Sequence, residues 1–175
     1  MTKAEITREK LLETACEAFW HRGYANVPLR DISKAAGVDV ALIARYFGSK
    51  RGLFEAALET AFDWPEMLDA DAGSPMDVAI TKFSAPETDA DETSATRMIL
   101  MNAADPEVGE IVRAAFQEKL LDPLLVRMGG DQSAPNLAMF IAVFLGASVV
   151  RQSLRLPGMA DQSAQDYARQ LRHLV

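Results

Sequence analysis

The side chains with the clearest chemistry in this sequence lie between residues 41 and 51, and they suit hydrogen bonding to a nucleic acid. Arg45 carries paired N–H donors that match the O6 and N7 acceptors of guanine. Leu42, three residues earlier on the same side of a helix, suits contact with the methyl group of thymine. Lys50 and Arg51 stand at the predicted start of another helix, where they and the unpaired backbone N–H groups can bind phosphate.

Two short helices around a glycine turn would position these side chains. In the first, Ile32 lies on one buried stripe with the alanines that follow it, and Pro28 sits where a helix can begin. Gly37 ends this helix, because a residue just past the last turn commonly adopts a left-handed conformation that glycine tolerates best. Asp39 then caps the second helix. The run from Leu29 to Leu53 therefore predicts a helix-turn-helix followed by a third helix.

The second helix has one side for the core and one side free for contact. Ile43 and Phe47 are four residues apart, so both face the core. Ala41, Leu42 and Arg45 remain on the outer side, which this motif presents to the major groove. The small side chain of Ala41 allows close approach to DNA.

The segment from Thr7 to Ala57 resembles the TetR family of transcriptional regulators, most specifically in the run ARYFGSKRGLF from Ala44 to Phe54. The resemblance implies an all-α fold. In that fold a three-helix DNA-binding domain in residues 1–50 precedes a helical bundle in residues 51–175, which binds a ligand and forms the dimer interface. The family's DNA contacts map onto Arg30, Leu42, Arg45, Tyr46 and Lys50, of which Tyr46 and Lys50 match the residues that touch phosphate. With Ala41 and Arg51 from the local pattern, these form the predicted DNA-binding set.

The distribution of charge agrees with a DNA-binding head on an acidic body. The 175 residues carry a net charge of −7, which by itself is unusual for a nucleic-acid binder. Residues 1–54, however, contain nine Lys and Arg against six Asp and Glu, and the remainder contains nine against nineteen. Such an arrangement attracts DNA to one face and repels it elsewhere.

Beyond Phe54 the sequence predicts helices separated by Pro and Gly, without strand-like alternation. Pro123 is expected to kink or restart one of them. The predicted segments are Lys50 to about Asp63, Asp91 to Asn102, Pro106 to Met128, Asn136 to Leu156 and Ser163 to Leu174.

The helix from Asn136 is apolar nearly all round its middle, so it must be buried on several sides. A homodimer in which this helix and the last one pack against their symmetry mates would supply that cover. The alternative is that the helix is the centre of a monomeric core. The predicted dimer-interface residues are Ala142, Gly146, Ala147, Val150, Leu154, Tyr167 and Leu171.

Met and Phe side chains in the body suit an adaptable apolar ligand pocket. The alternative is that they are ordinary core residues. The predicted pocket residues are Phe62, Met67, Phe83, Met98, Met101, Phe116, Met139 and Phe140.

Features of catalytic and metal sites are missing from the sequence. The two histidines, His21 and His173, lie near predicted helix ends, and Cys16 is the single cysteine. There is no Gly-rich phosphate loop, zinc spacing or nucleophile elbow. We therefore predict no catalytic residues, no metal and no cofactor. The opening MTKAEITREK is charged, and the apolar run from Leu137 to Val150 is short for a bilayer span, so a cytoplasmic location is expected.

Together these observations predict a transcriptional regulator, in the first place a repressor. It would bind a palindromic operator as a homodimer and be released by a small, largely apolar molecule. The alternative is a helical ligand-binding or scaffold module that has lost sequence-specific DNA binding. An enzyme is the third and least favoured class.

Overall fold

The computed structural model describes residues 2–62, 69, 71, 73–84, 92–159 and 161–174, with only the backbone for residues 82–84, 92–95, 152, 153, 164 and 174. All longer regular elements in these ranges are helices, which confirms the all-α class. In chain order they are α1 (Lys3–Arg22), α2 (Leu29–Ala36), α3 (Ala41–Phe47), α4 (Lys50–Ala61), α5 (Pro75–Ser84), α6 (Glu92–Asn102), α7 (Gly109–Phe116), α8 (Asp122–Arg127), α9 (Ala134–Ser148) and α10 (Ala164–Leu174). Short 3-10 turns occupy Tyr24–Asn26 and Asp131–Ser133, and π-helical turns occupy Gln117–Leu121 and Val149–Ser153.

The chain forms two compact units. The first contains α1 to α4, α6 from residue 93, and α7, and the second contains α5 and α8 to α10. In the first unit, α4 packs against both α1 and α3, so by packing it belongs with the helix-turn-helix. The predicted boundary between a DNA-binding domain in residues 1–50 and a ligand-binding domain in residues 51–175 stays a prediction. It does not coincide with the two units defined by packing.

Aromatic side chains hold the first unit together. The ring of Phe54 lies edge-on to Phe19, Trp20 and Tyr24, with centroid distances of 5.3, 6.2 and 5.2 Å. Such edge-to-face pairs add to the energy of burial alone. Because Phe54 comes from α4 and its three neighbours come from α1 and the turn after it, the cluster fixes α4 against α1 and this turn.

Local signals in the sequence set the ends of these helices. Thr2 and Glu5 form a reciprocal capping box at the start of α1. The Ser49 side chain accepts a hydrogen bond from the backbone N–H of Gly52 at 3.0 Å and so caps α4. Gly37 ends α2 in the left-handed conformation, with φ 65° and ψ 37°, as predicted.

The second unit pairs α5 with α10. Ala79 and Ile80 of α5 and Tyr167 and Leu171 of α10 are all buried. At the edge of this contact, Arg172 donates to the Asp77 carboxylate at 3.1 Å. The α5 helix was absent from the predicted segments.

A second feature of this unit is the change of helix type just before Pro123. The π-helical turn Gln117–Leu121 passes without a break into α8, which begins at Asp122 with Pro123 in its first turn. The predicted kink or restart at Pro123 thus takes the form of a π-helical turn within a continuous helical run.

We expect Gly23→Ala to lower the free energy of unfolding by about 1–3 kcal/mol, the usual cost of such a backbone conformation. Gly23 adopts φ 76° and ψ 154°, a region that residues with a Cβ atom essentially avoid. An added Cβ would also lie 3.2 Å from the carbonyl oxygen of Met101. Chemical denaturation of the purified variant measures the loss.

Gly37→Ala is the matched control. Its left-handed conformation is accessible to other residues, and only the flexible Lys10 side chain lies near the added Cβ, at 3.8 Å. The Gly23 variant should therefore be the less stable of the two, and equal losses would contradict the argument.

Candidate nucleic-acid interface

Helix α3 presents the outer face that the sequence predicts. The Asp39 carboxylate accepts a hydrogen bond from the backbone N–H of Ala41 at 2.8 Å, which fixes the start of the helix. Ile43 is fully buried, and its side chain belongs to the core of the first unit. Ala41 and Arg45 are exposed, and Leu42 is half-buried. Ile43 thus faces the core and Ala41 and Arg45 face outward as predicted, whereas Leu42 and Phe47 are both half-buried and pack against the core.

The Arg45 guanidinium is available for contact. It lies 5.9 Å from the centroid of the neighbouring Tyr46 ring, a distance at which a cation and an aromatic face attract. Among the described residues, no carboxylate lies within ion-pair distance of it. Its forked donors are therefore not engaged by an acidic side chain of the first unit.

The other predicted DNA-binding residues differ in how free they are. Arg30 is exposed in the first turn of α2. Arg51 is exposed and donates to the Glu55 carboxylate at 2.9 Å, an exposed pair of small energetic weight. Lys50 is half-buried, and its ammonium lies 4.2 Å from the centroid of the Tyr24 ring.

The surroundings of Lys50 act on its charge in opposite directions. Partial burial lowers the pKa of Lys50, while the carboxylates of Glu107 and Asp105 oppose that shift. Tyr24 itself donates its hydroxyl hydrogen to Glu107 at 2.6 Å, and burial together with this bond raises the pKa of Tyr24. The Lys50 ammonium therefore lies over an aromatic ring whose hydroxyl group is hydrogen-bonded to a carboxylate.

Two contacts within the first unit were not predicted from the sequence. Arg8 of α1 lies over the ring of Phe47, 5.1 Å from its centroid, and so links α1 to the end of α3. Glu107 reaches Tyr24 across 83 positions of sequence. Neither contact leaves a local signal in the sequence, because the partners meet only when the unit has folded.

The predicted pocket residues are divided between the two units. Phe62 and Phe116 lie 5.8 Å apart in the first unit, where Met98 is fully buried. In the second unit, Phe140 is buried and stacks on Phe144 at 6.0 Å, whereas Met139 is 63% exposed. Met101 is also exposed. Met67 and the side chain of Phe83 lie outside the described residues.

The predicted dimer residues also fall into two groups. Ala142, Gly146 and Leu154 are exposed, and Ala147 and Val150 are half-buried. Tyr167 and Leu171 are buried within the second unit, where α5 covers the apolar side of α10, and the Arg151 guanidinium lies 4.3 Å from the Tyr167 ring. These two side chains therefore face the interior of their own chain.

The apolar helical run is longer than the sequence interpretation allowed. Asp131–Arg151 is long and apolar enough, by length and composition alone, to cross a membrane, and 22% of its most apolar window is buried within the chain. It exceeds the predicted run because the 3-10 turn before α9 and the π-helical turn after it continue the helix. The exposed positions 135, 138, 139, 142 and 146 recur every three or four residues and carry no charge, so they form one uncovered apolar face.

Models of known protein families match both the N-terminal and the C-terminal part of the sequence. A family model described as bacterial regulatory proteins, tetR family, matches residues 11–57. A second model, described as tetracyclin repressor-like, C-terminal domain, matches residues 78–175, which is more than half of the chain.

Curated relatives match the N-terminal part. The probable HTH-type transcriptional regulator YttP of Bacillus subtilis is 41% identical over 49 residues, 28% of this chain and 24% of the relative. The HTH-type transcriptional regulatory protein RaaS of Mycobacterium tuberculosis is 44% identical over 57 residues, 32% of this chain and 26% of the relative. The matched segment thus spans about a quarter of the length of these relatives.

Two solved structures share the fold over nearly the whole chain. The hemolysin II transcriptional regulator HlyIIR has a TM-score of 0.65 at 18% identity, covering 96% of this chain and 98% of that one. A putative transcriptional regulator from Saccharomonospora viridis, solved in complex with choline, has a TM-score of 0.62 at 23% identity, covering 97% of this chain and 95% of that one. With the helix-turn-helix matched by one family model and more than half of the chain by the other, this protein belongs to the TetR family of bacterial transcriptional regulators.

Proposed function

We propose that this TetR-family regulator is a repressor. It binds a palindromic operator as a homodimer and is released by a small, largely apolar ligand. The observation that carries the proposal is the exposed face of α3, on which Arg45 is free of any acidic partner among the described residues. In this role the protein acts in the cytoplasm, where the DNA is, and it needs no catalytic group.

On DNA, α3 enters the major groove with its exposed side towards the bases. The Arg45 fork binds guanine O6 and N7, Leu42 contacts a thymine methyl, and the small Ala41 permits close approach. The surrounding residues bind the backbone phosphates and set the register of the helix. Those phosphate-binding residues are Arg30, Tyr46, Lys50 and Arg51.

The occupant of the uncovered face of α9 is a second copy of this chain. Ala142 and Gly146 have small side chains, so two such helices can approach closely across a two-fold axis. An uncharged, apolar face of this length is the composition expected at the core of a homodimer interface. The exposed Leu154 extends the same interface beyond the helix, with Ala147 and Val150 at its margin. The buried Tyr167 and Leu171 support it from within the chain.

The effector binds the helical body and releases DNA because it binds one conformation better than the other. The choline complex of the Saccharomonospora viridis protein supports a small molecule as the effector of such a fold. Phe140, which is buried beside Phe144, is a suitable apolar wall for the pocket in the second unit. The other pocket residues remain predictions, and Met139 fits the dimer face better than a pocket because it is exposed.

Selection of bound duplexes from a random DNA pool tests the proposal directly. We expect an enriched palindrome whose half-sites lie about one helical turn or more apart. Weak, salt-sensitive binding without enrichment would contradict it and would favour a module that has lost sequence-specific DNA binding. The enriched duplex then serves as the probe in a screen for ligands that release the protein.

We expect Arg45→Ala to cost about 1–3 kcal/mol of operator affinity per half-site, the range for one forked contact to guanine. The loss should relax base preference at a single position of each half-site. Repeating the selection with the variant measures both effects.

Lys50→Ala is the matched comparison, because it removes a cation that touches phosphate rather than a base. It should weaken binding to all sequences alike and reduce the slope of log K against log salt by about 0.9 for each phosphate that is no longer neutralised. If the Arg45 variant keeps the full base preference, the assignment of α3 as the reading helix is wrong.

A further inference from the structure

The turn between α6 and α7 places an acidic side chain beside the predicted phosphate contact. Asp105 accepts hydrogen bonds from the backbone N–H groups of Glu107 at 2.8 Å and Val108 at 3.1 Å, which fixes the turn. Held there, Glu107 accepts the hydroxyl hydrogen of Tyr24 at 2.6 Å. Glu107 is exposed to solvent, so its charge also acts on what approaches this part of the surface.

Tyr24 is a rigid platform between Glu107 and Lys50. Its backbone N–H donates to the Asn102 side chain at 2.7 Å, and the residue is 3% exposed, with its ring packed against Phe54. The Lys50 ammonium lies over the face of this ring, which carries the negative end of the aromatic quadrupole. The first unit therefore supplies Lys50 with an aromatic face and with the nearby charges of Glu107 and Asp105.

We propose that Glu107 is an intramolecular competitor of the DNA backbone for Lys50, and that its charge lowers the affinity of the head for DNA. The inference rests on the proposed function, in which Lys50 binds phosphate. If Lys50 stays on the Tyr24 ring, an approaching phosphate must come near the Glu107 carboxylate and is repelled by it. If Lys50 leaves the ring to reach the phosphate, it gives up the attraction of the ring and of the carboxylate. In both cases the charge of Glu107 opposes DNA binding.

The decisive variant is Glu107→Gln, because the glutamine oxygen can still accept the Tyr24 hydroxyl hydrogen while the charge is gone. We expect it to tighten operator binding roughly three- to fivefold near 0.1 M salt, as two exposed carboxylates per dimer are neutralised. The gain should be similar for unrelated DNA, since phosphate contacts carry no base preference, and it should shrink as salt is raised.

Glu110→Gln is the matched control. It changes the net charge equally, from an exposed position on α7. It should give a clearly smaller gain. The gain from Glu107→Gln should also disappear in the Lys50→Ala background, because there is then no Lys50 either to bring a phosphate near Glu107 or to be attracted by Glu107. A gain equal to that of the Glu110 variant, or one that survives removal of Lys50, would overturn the proposal.

A second readout needs no DNA and separates failure of this inference from failure of the proposed function. The Glu107 charge raises the pKa of Lys50, so its removal leaves more of the amine uncharged at a given pH. Acylation of Lys50 by an amine-reactive ester, followed by mass spectrometry, should therefore be faster in the Glu107 variant than in the Glu110 variant. Faster acylation without operator binding by any variant would contradict the proposed function alone. Equal acylation rates would contradict the electrostatic effect of Glu107 on Lys50.

Discussion

Replacing Ala142 with Arg is expected to convert the proposed dimer into monomers and to weaken operator binding by more than about 100-fold, the gain that linking two binding modules typically provides. Ala142 is exposed near the middle of the uncovered face of α9. An arginine there would place a long charged side chain where two small-residue helices meet, with no acidic residue on either copy of α9 to pair with it. A charge buried without a partner is among the most destabilising changes at an interface. Sedimentation and operator titration measure the two effects.

The matched control is Ala114→Arg, which makes the same substitution at an exposed position of α7. This variant should remain dimeric and fold normally. If the Ala142 variant also remains dimeric, the second copy is not what covers α9. If the Ala142 variant is monomeric but binds the operator as before, then dimerisation does not link the two DNA-binding domains on the operator.

The ends of the helices in the head are predictable because each carries a local signal. Gly37 ends α2 and Ser49 caps α4, as their local signals indicate. The N-cap of α3 is Val40, one residue after the predicted Asp39, whose side chain accepts from the backbone N–H of Ala41. The outer face of α3 follows from the buried position of Ile43 four residues before Phe47. The side chains that project from this short helix can thus be assigned from spacing alone.

Helix α5 shows where local signals mislead. The glycine and proline from Gly73 to Pro75 suggest a break between elements, but Pro75 is the first residue of the helix. Proline is favoured in a first turn, so the same residue that interrupts one helix can start another. Because α5 is absent from the predicted segments, the assignment of Tyr167 and Leu171 to the dimer interface takes no account of the helix that buries them.

Contacts between distant parts of the sequence could not be predicted. Tyr24 is hydrogen-bonded to Asn102, 78 residues away, and to Glu107, 83 residues away. Asn and Glu side chains are mostly exposed in proteins, so their types do not indicate these contacts. Nothing in the spacing of the sequence marks Asn102 as a buried residue. Its role within the first unit depends on how α6 packs against the end of α1, which no periodicity of either helix reveals.

That role leads to the second large expected effect: Asn102→Ala should lower the free energy of unfolding by about 2–4 kcal/mol, because buried polar groups lose their partners. Asn102 is fully buried. Its oxygen accepts from the backbone N–H of Tyr24 at 2.7 Å, and its nitrogen donates to the carbonyl oxygens of Phe19 at 3.2 Å and Met98 at 2.9 Å. Chemical denaturation monitored by circular dichroism measures the loss.

Asn26→Ala is the control, since it deletes the same amide at an exposed site. There the side chain makes one bond, to the carbonyl oxygen of Arg22 at 2.9 Å, and water can replace it. The loss should stay below about 1 kcal/mol, the net value of an ordinary hydrogen bond. Because the Asn102 amide joins the end of α1 to α6 and positions the backbone of Tyr24, its removal should also loosen the platform beneath Lys50. A stable Asn102 variant, no weaker than the Asn26 control, would mean that the buried amide does not hold these helices together.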